Sequence, residues 1–263
     1  MADKRKSFEE FYYITKKDVL DIELVTEYVD LHKGSIGKYN GEMFCPECRK
    51  AELYFVHKTS RNRAHLRKCP TANHEENCSY NYVYASRKLV KSHIISLSYD
   101  RIQDKLNSII NMLCRPVKDA GENSGGESSK GITNNPMVIN EKKEREDIIK
   151  SIRRKRLNAW IDETDCGEYY VFYGKVKLKV AEKEKKTHEY GGESKKYNIL
   201  EIYNPNNKVD GGWKFRTSLY RGQIKDNIKE DAIYYIAIIG RVGEKSWQIE
   251  LDNIHGVKYR ECD

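Results

Sequence analysis

Phe44-Cys45-Pro46-Glu47-Cys48 and, further on, Lys68-Cys69-Pro70-Thr71-Ala72-Asn73-His74-Glu75-Glu76-Asn77-Cys78 decide how this chain reads. Thiolates are soft ligands suited to tetrahedral zinc, and a Cys-Pro-x-Cys turn places two sulfurs on one bend of backbone. Cys69 and Cys78 lie one hairpin further on, where a second pair closes a ribbon. The expected ligands are therefore Cys45, Cys48, Cys69 and Cys78 around a structural Zn2+. The gap between Cys69 and Cys78 is wider than in most such pairs, and His65 and His74 flank Cys69, so either histidine could replace a sulfur. A catalytic zinc would leave one position open to water, and four available thiolates argue against that.

Outward from this cluster the texture changes several times. Residues 7–40 read as a helical lead-in, with Thr15 and Asp18 resembling a capping box ahead of Val19, Leu20, Ile22, Leu24 and Val25. From Ser86 to about Cys114 an amphipathic helix is expected, with a slip in the apolar spacing near Tyr99. A flexible insert follows at 117–138, rich in Gly, Ser and Asn. A second helix is expected from Asn140, carrying Ile148, Ile149, Ile152, Leu157, Trp160 and Ile161 and a basic stretch from Lys150 to Arg156. From Glu168 the chain turns to β: Tyr169–Val180, Tyr197–Tyr203, Trp213–Tyr220, Ala232–Gly240 and Ser246–Leu251, with 256–260 as a sixth strand. The expected fold is α+β: helix and zinc ribbon over 1–84, a helical connector over 85–165, and a small OB-like β-barrel over 166–263.

Composition sets the outer limits. The 263 residues suffice for one large domain or two ordinary ones, but 38% hydrophobic against 33% charged, with mean hydropathy -0.81, favours modest cores joined by solvated segments. Nineteen tyrosines add apolar area with a polar tip. The net charge of +8 favours an anionic partner such as nucleic acid. Neither a secretory h-region nor a membrane-length apolar run is present, so a soluble, cytoplasmic protein with no membrane partner is expected. In a reducing compartment close-spaced cysteines are metal ligands, and the dispersed Cys114, Cys166 and Cys262 read as free thiols.

Asp21-Ile22-Glu23-Leu24-Val25-Thr26-Glu27-Tyr28-Val29-Asp30-Leu31, Gly37-Lys38-Tyr39-Asn40-Gly41 and Phe44-Cys45-Pro46 together resemble the N-terminal zinc-binding domain of bacterial replicative primases. That family pairs such a helix and turn with a ribbon whose second ligand is typically histidine, where this chain has Cys48. Cys69 through Cys78-Ser79-Tyr80 is closer to the zinc ribbons of type IA topoisomerases. The resemblance covers about residues 18–82, and no acidic Toprim motif follows. It implies a ribbon that faces nucleic acid, without polymerase or strand-passage activity.

Two regions are candidate contacts for that partner. The hairpin between Glu52 and Glu75 has no acidic residue and carries Lys58, Arg61, Arg63, Arg67 and Lys68, which can neutralise phosphates. The β region interleaves aromatics with lysines, and Tyr173, Trp213 and Phe215 are candidate stacking residues beside Lys175, Lys177 and Lys179. The acidic group Asp162, Glu163, Asp165 and Glu168 reads as a loop or helix end, and no catalytic motif is recognisable. The expected function is non-enzymatic binding of single-stranded or unwound DNA. The alternative is an adaptor or inhibitor, of phage or mobile-element type, whose ribbon and barrel grip a protein.

Overall fold

The computed structural model describes residues 6–114, 135–141, 148–185, 195–206, 211–244 and 248–262. The chain divides into two compact units, residues 1–83 with 115–151 and residues 84–114 with 152–263. The expected helical connector is therefore shared out between them. Among the described residues no helix is long and apolar enough to cross a membrane.

The first unit opens with β1 (Glu10–Tyr13) and β2 (Asp18–Asp21), an antiparallel hairpin, before α1 (Ile22–Leu31). This corrects the helical lead-in. Thr15 is in the hairpin turn, where its hydroxyl donates to Glu42 at 2.8 Å, and Lys17 there takes a left-handed φ of 52°. The helix starts only at Asp21, an extended N-cap. From there Ile22, Val25 and Val29 fall on one buried face, as a 3.6-residue period requires. β3 (Met43–Phe44) pairs with β1, and β4 (Leu53–Val56) with β5 (His65–Lys68) forms the hairpin beyond the first cysteine pair. The core joins Phe8, Phe11, Val25, Met43, Leu53 and Leu66 to the side chains of Cys45 and Cys78.

Residues 135–151 return to this unit. Residues 117–134 of the expected insert lie outside the described residues, but Met137 is fully buried and β6 (Val138–Glu141) pairs with β7 (Ile148–Ser151). The helix expected from Asn140 is a correction too: β7 and β8 (Arg153–Arg156) are strands. Apolar spacing here fits both periods, and tertiary pairing decides it. β8 lies parallel to the next strand, and Ile152, Lys155 and Leu157 are buried.

The second unit starts with α2 (Arg87–Ser96) and α3 (Tyr99–Leu113), two helices where one was expected. The slip near Tyr99 is the break: Ser86 and Ser98 each cap a helix by accepting from the backbone N–H three residues on. The remainder is a seven-stranded, curled half-barrel sheet, consistent with the α+β class. Its strands are β8, β9 (Tyr169–Lys185), β10 (Lys195–Pro205), β11 (Trp213–Gly222), β12 (Ile233–Val242), β13 (Ile249–Glu250) and β14 (Val257–Glu261). The order is β11-β10-β9-β12-β13, with β14 on β12 and β8 on β9. β9 pairs with β12 through its first half and with β10 through its second, which lets the sheet coil. At the two ends of the order, the Ile249 N–H donates to Thr217 Oγ1 at 3.3 Å. Val176, Leu178, Leu200, Ile202, Leu219, Ile236 and Ile238 fill the interior.

Candidate metal centre and aromatic face

The first cysteine turn is built by its backbone. Cys45 N–H donates to Ala51 O at 2.7 Å, and Arg49 N–H to Cys45 O at 2.9 Å, with Arg49 at φ 57°. The second turn runs from Glu75 to Asn81, where Cys78 N–H donates to Glu75 O and Asn81 N–H to Cys78 O, both at 3.0 Å. Glu47, between the two cysteines of the first turn, ties the turns together. Its carboxylate accepts from Ser79 N–H and Ser79 Oγ, each at 2.6 Å, and from Asn135 Nδ2 at 2.7 Å.

These turns bring Cys45, Cys48, His74 and Cys78 together, with ligand atoms all within 4.8 Å of one another. The Cys45 and Cys78 sulfurs are 3.8 Å apart, and His74 Nδ1 lies 3.5 Å from Cys48 Sγ and 3.6 Å from Cys78 Sγ. A tetrahedral ion with zinc's usual bond lengths would set sulfurs about 3.8 Å from each other and about 3.5 Å from a ligating nitrogen. The donor set therefore fits such an ion. Stacking holds the imidazole in place: His74 lies over Tyr80 at 5.7 Å and 16°, and Tyr80 over the buried Phe8 at 4.3 Å. Without a metal the thiols share protons unequally. Hydrogen bonds with Cys45 and Cys78 hold Cys48 well below the usual thiol range, and bonds with Cys45 and Cys48 push Cys78 up.

Cys69 is outside this group, which corrects the expected set. Its N–H donates to Glu52 O at 2.9 Å, its carbonyl accepts from Ala72 N–H at 3.0 Å, and burial raises its thiol pKa. His65 is on β5 with Nδ1 3.0 Å from Arg63 O, also outside the group. The usable signal was spacing: His74 and Cys78 are separated by three residues, the short gap of a second ligand pair, whereas Cys69 and Cys78 are not. No sequence signal marked Glu47 as the tie.

The basic hairpin is less uniform than its sequence. Lys58 is paired with Asp30 at 2.8 Å, and Lys68 donates to the carbonyls of Cys69, at 3.0 Å, and Ala72. Arg61 and Arg63 are exposed around the hairpin loop, and Arg67 stands opposite the exposed Tyr54.

On the sheet, Tyr173 is 4% exposed and cannot present its ring to a base, another correction. Trp213 is half-buried and Phe215 is 50% exposed, both at outward positions. Cross-strand register places Lys177, Tyr203 and Phe215 in one outward row, Lys179, Glu201 and Ser218 in the next, and Ala181, Ile199 and Tyr220 beyond. Lys177 Nζ is 5.5 Å from the Trp213 ring centre, and Lys175 Nζ is 5.2 Å from that of Tyr235. Tyr203 meets Phe215 edge-on at 5.7 Å, and Tyr197 meets Tyr220 at 5.4 Å. The result is an aromatic surface fringed by ammonium groups.

The acidic group near 165 is consumed by structure. Asp165 accepts from buried Lys155 at 2.9 Å and from Tyr170 OH at 2.6 Å, Asp162 caps the short turn Glu163–Asp165, and Glu168 pairs with Arg87 at 2.7 Å. Comparison of the chain with protein families, with curated proteins and with solved structures found no match.

Proposed function

We propose that this chain is a zinc-ribbon protein that binds single-stranded or unwound DNA without catalysing a reaction on it. The observation that carries this is the outward face of β9, β10 and β11. There Lys175, Lys177 and Lys179 line up beside Trp213, Tyr203, Phe215 and Tyr220, over a strand whose other face is core. Bases stack on aromatic faces while cations track the phosphates, and each stacked base contributes about 1–3 kcal/mol. Counted from β9, the strand order is third, second, first, fourth, fifth, as in an OB barrel, and β10 and β11 then correspond to the second and third strands, which bind oligonucleotides in such barrels. The likeness of residues 18–82 to primase and topoisomerase ribbons points the same way. We assign Zn2+ to Cys45, Cys48, His74 and Cys78 as a structural ion, because three thiolates and an imidazole leave no open position.

Binding of fluorescent single-stranded DNA to the full chain tests the reading. Trp213→Ala with Phe215→Ala should weaken binding by at least tenfold while leaving the melting temperature in place. No binding by the wild-type chain at low salt would overturn it, and the protein-binding adaptor would then take its place. The exposed Leu24 and Leu31 of α1 are the apolar positions such an adaptor would use.

A further inference from the structure

The outward face has a feature that non-specific strand binding does not call for. Between Lys175 and Lys183 on β9, Tyr197 and Tyr203 on β10, and Trp213 and Tyr220 on β11, the outward positions hold four lysines, eight neutral residues and a single acid that would repel a phosphate, Glu201. It stands mid-face, across from Lys179 on one side and Ser218 on the other. Among the described residues it makes no ion pair. Its Oε2 accepts from Tyr203 OH at 2.8 Å, a bond that orients the carboxylate and leaves Oε1 for another donor. Along β10 the outward neighbours are Tyr203 to one side and Ile199, then Tyr197, to the other, each step about 7 Å. Aromatic pairs thus flank the carboxylate: Tyr203 with Phe215, and Tyr197 with Tyr220.

We propose that Glu201 reads guanine in a single strand lying across this face, an inference that rests on the strand-binding reading above. An ionised carboxylate can only accept hydrogen bonds. Guanine offers two adjacent donors on its Watson–Crick edge, N1–H and an N2–H, and so satisfies both oxygens with charge-assisted bonds. Cytosine and adenine set one amino donor beside a ring-nitrogen acceptor, and thymine flanks its single N3–H with two carbonyl oxygens. Each of these puts a lone pair against the carboxylate. The stacking pairs hold a base regardless of identity, and Glu201 sorts what they hold.

The test uses the full chain and two DNA probes of about twelve nucleotides, oligothymidine and the same strand with isolated guanines. Fluorescence anisotropy should show the guanine-bearing strand bound about tenfold more tightly. Glu201→Gln should bring the ratio to within about twofold, with oligothymidine bound more tightly because a repelling charge has gone, and the guanine-bearing strand losing its advantage because the charge-assisted pair has gone. Trp213→Ala should weaken both strands and keep the ratio. Equal binding of the two strands by the wild-type chain, or an unchanged ratio in Glu201→Gln, overturns the assignment and leaves strand binding standing. Absence of binding to either strand overturns both together.

Discussion

Cys69 and His74 are near neighbours in sequence, yet only the histidine approaches the three sulfurs, because the turn from Glu75 to Asn81 and the Phe8–Tyr80 stack aim its ring inward. Elemental analysis should therefore find about one zinc per chain in the wild type and in Cys69→Ser, and much less in His74→Ala. Because structural zinc contributes directly to folding, His74→Ala should also melt the first unit at lower temperature, as a chelator does to the wild type. Retention of zinc by His74→Ala with loss in Cys69→Ser would reverse the assignment. Glu47→Ala should cost about 2 kcal/mol in denaturant titration, since it strips a carboxylate from buried donors. A second residue sets a pH response. Burial, then the neighbouring Lys105, lowers His93 to about 4, and among the described residues its Nε2 has no hydrogen-bond partner. The folded state thus favours the neutral ring. Above the ordinary histidine pKa of about 6.5 this makes no difference. As pH falls from there toward about 4 the unfolded chain takes up a proton that the folded chain refuses, so stability drops. Thermal melts across that window should show the loss, and His93→Gln should flatten it.

At the level of elements, sequence and structure part where local pattern fits two answers. The strands from β9 to β14 were legible because β-branched and aromatic runs are separated by Asn, Gly and Pro turns. The break between α2 and α3 was visible as a slip of phase at Tyr99, although its meaning, a second serine cap, needed the backbone. Ile148 through Leu157 were not legible. Their apolar spacing suits a helix, and only pairing with β6 and β9 makes them strands. The aromatic face was half-legible: period-two alternation picks out Lys175, Lys177 and Lys179, but the same alternation placed Tyr173 with them, and that ring is buried. Of the candidate metal group, the sequence places Cys45, Cys48 and Cys78 together with Cys69 as the fourth, and His65 or His74 as an open replacement; His74 is the residue that stands there. β8 also carries a buried charge, Lys155, whose side chain is 5% exposed against 7% for Asp165. Asp165→Asn would leave that ammonium uncompensated and should cost about 3–5 kcal/mol, read from chemical denaturation of the second unit. A cost below about 1 kcal/mol would show that the pair is not a keystone of β8.

For the whole molecule, the proposed strand binding should depend on charge. Each lysine of the sheet that meets a phosphate should add about 0.7 to the logarithmic salt slope for single strands. Lys175→Gln with Lys179→Gln should therefore flatten the slope by about 1.4. Trp213→Ala should leave it nearly unchanged, since stacking releases no counterions. Equal slopes in all variants would detach the lysines from the strand.

The chain enters the two units alternately, changing over at Val83, Cys114 and Ser151. On the ribosome the four residues assigned to the ion emerge early, with residue 78 the last of them, but Asn135 and the β6–β7 pair that complete their unit follow only after α2 and α3 have been made. If the proposed zinc site is filled during synthesis, capture would precede closure of its own unit. A nascent chain stalled near residue 110 should take up zinc while remaining open to protease, and the same ion should become hard to extract once residue 151 has cleared the exit tunnel.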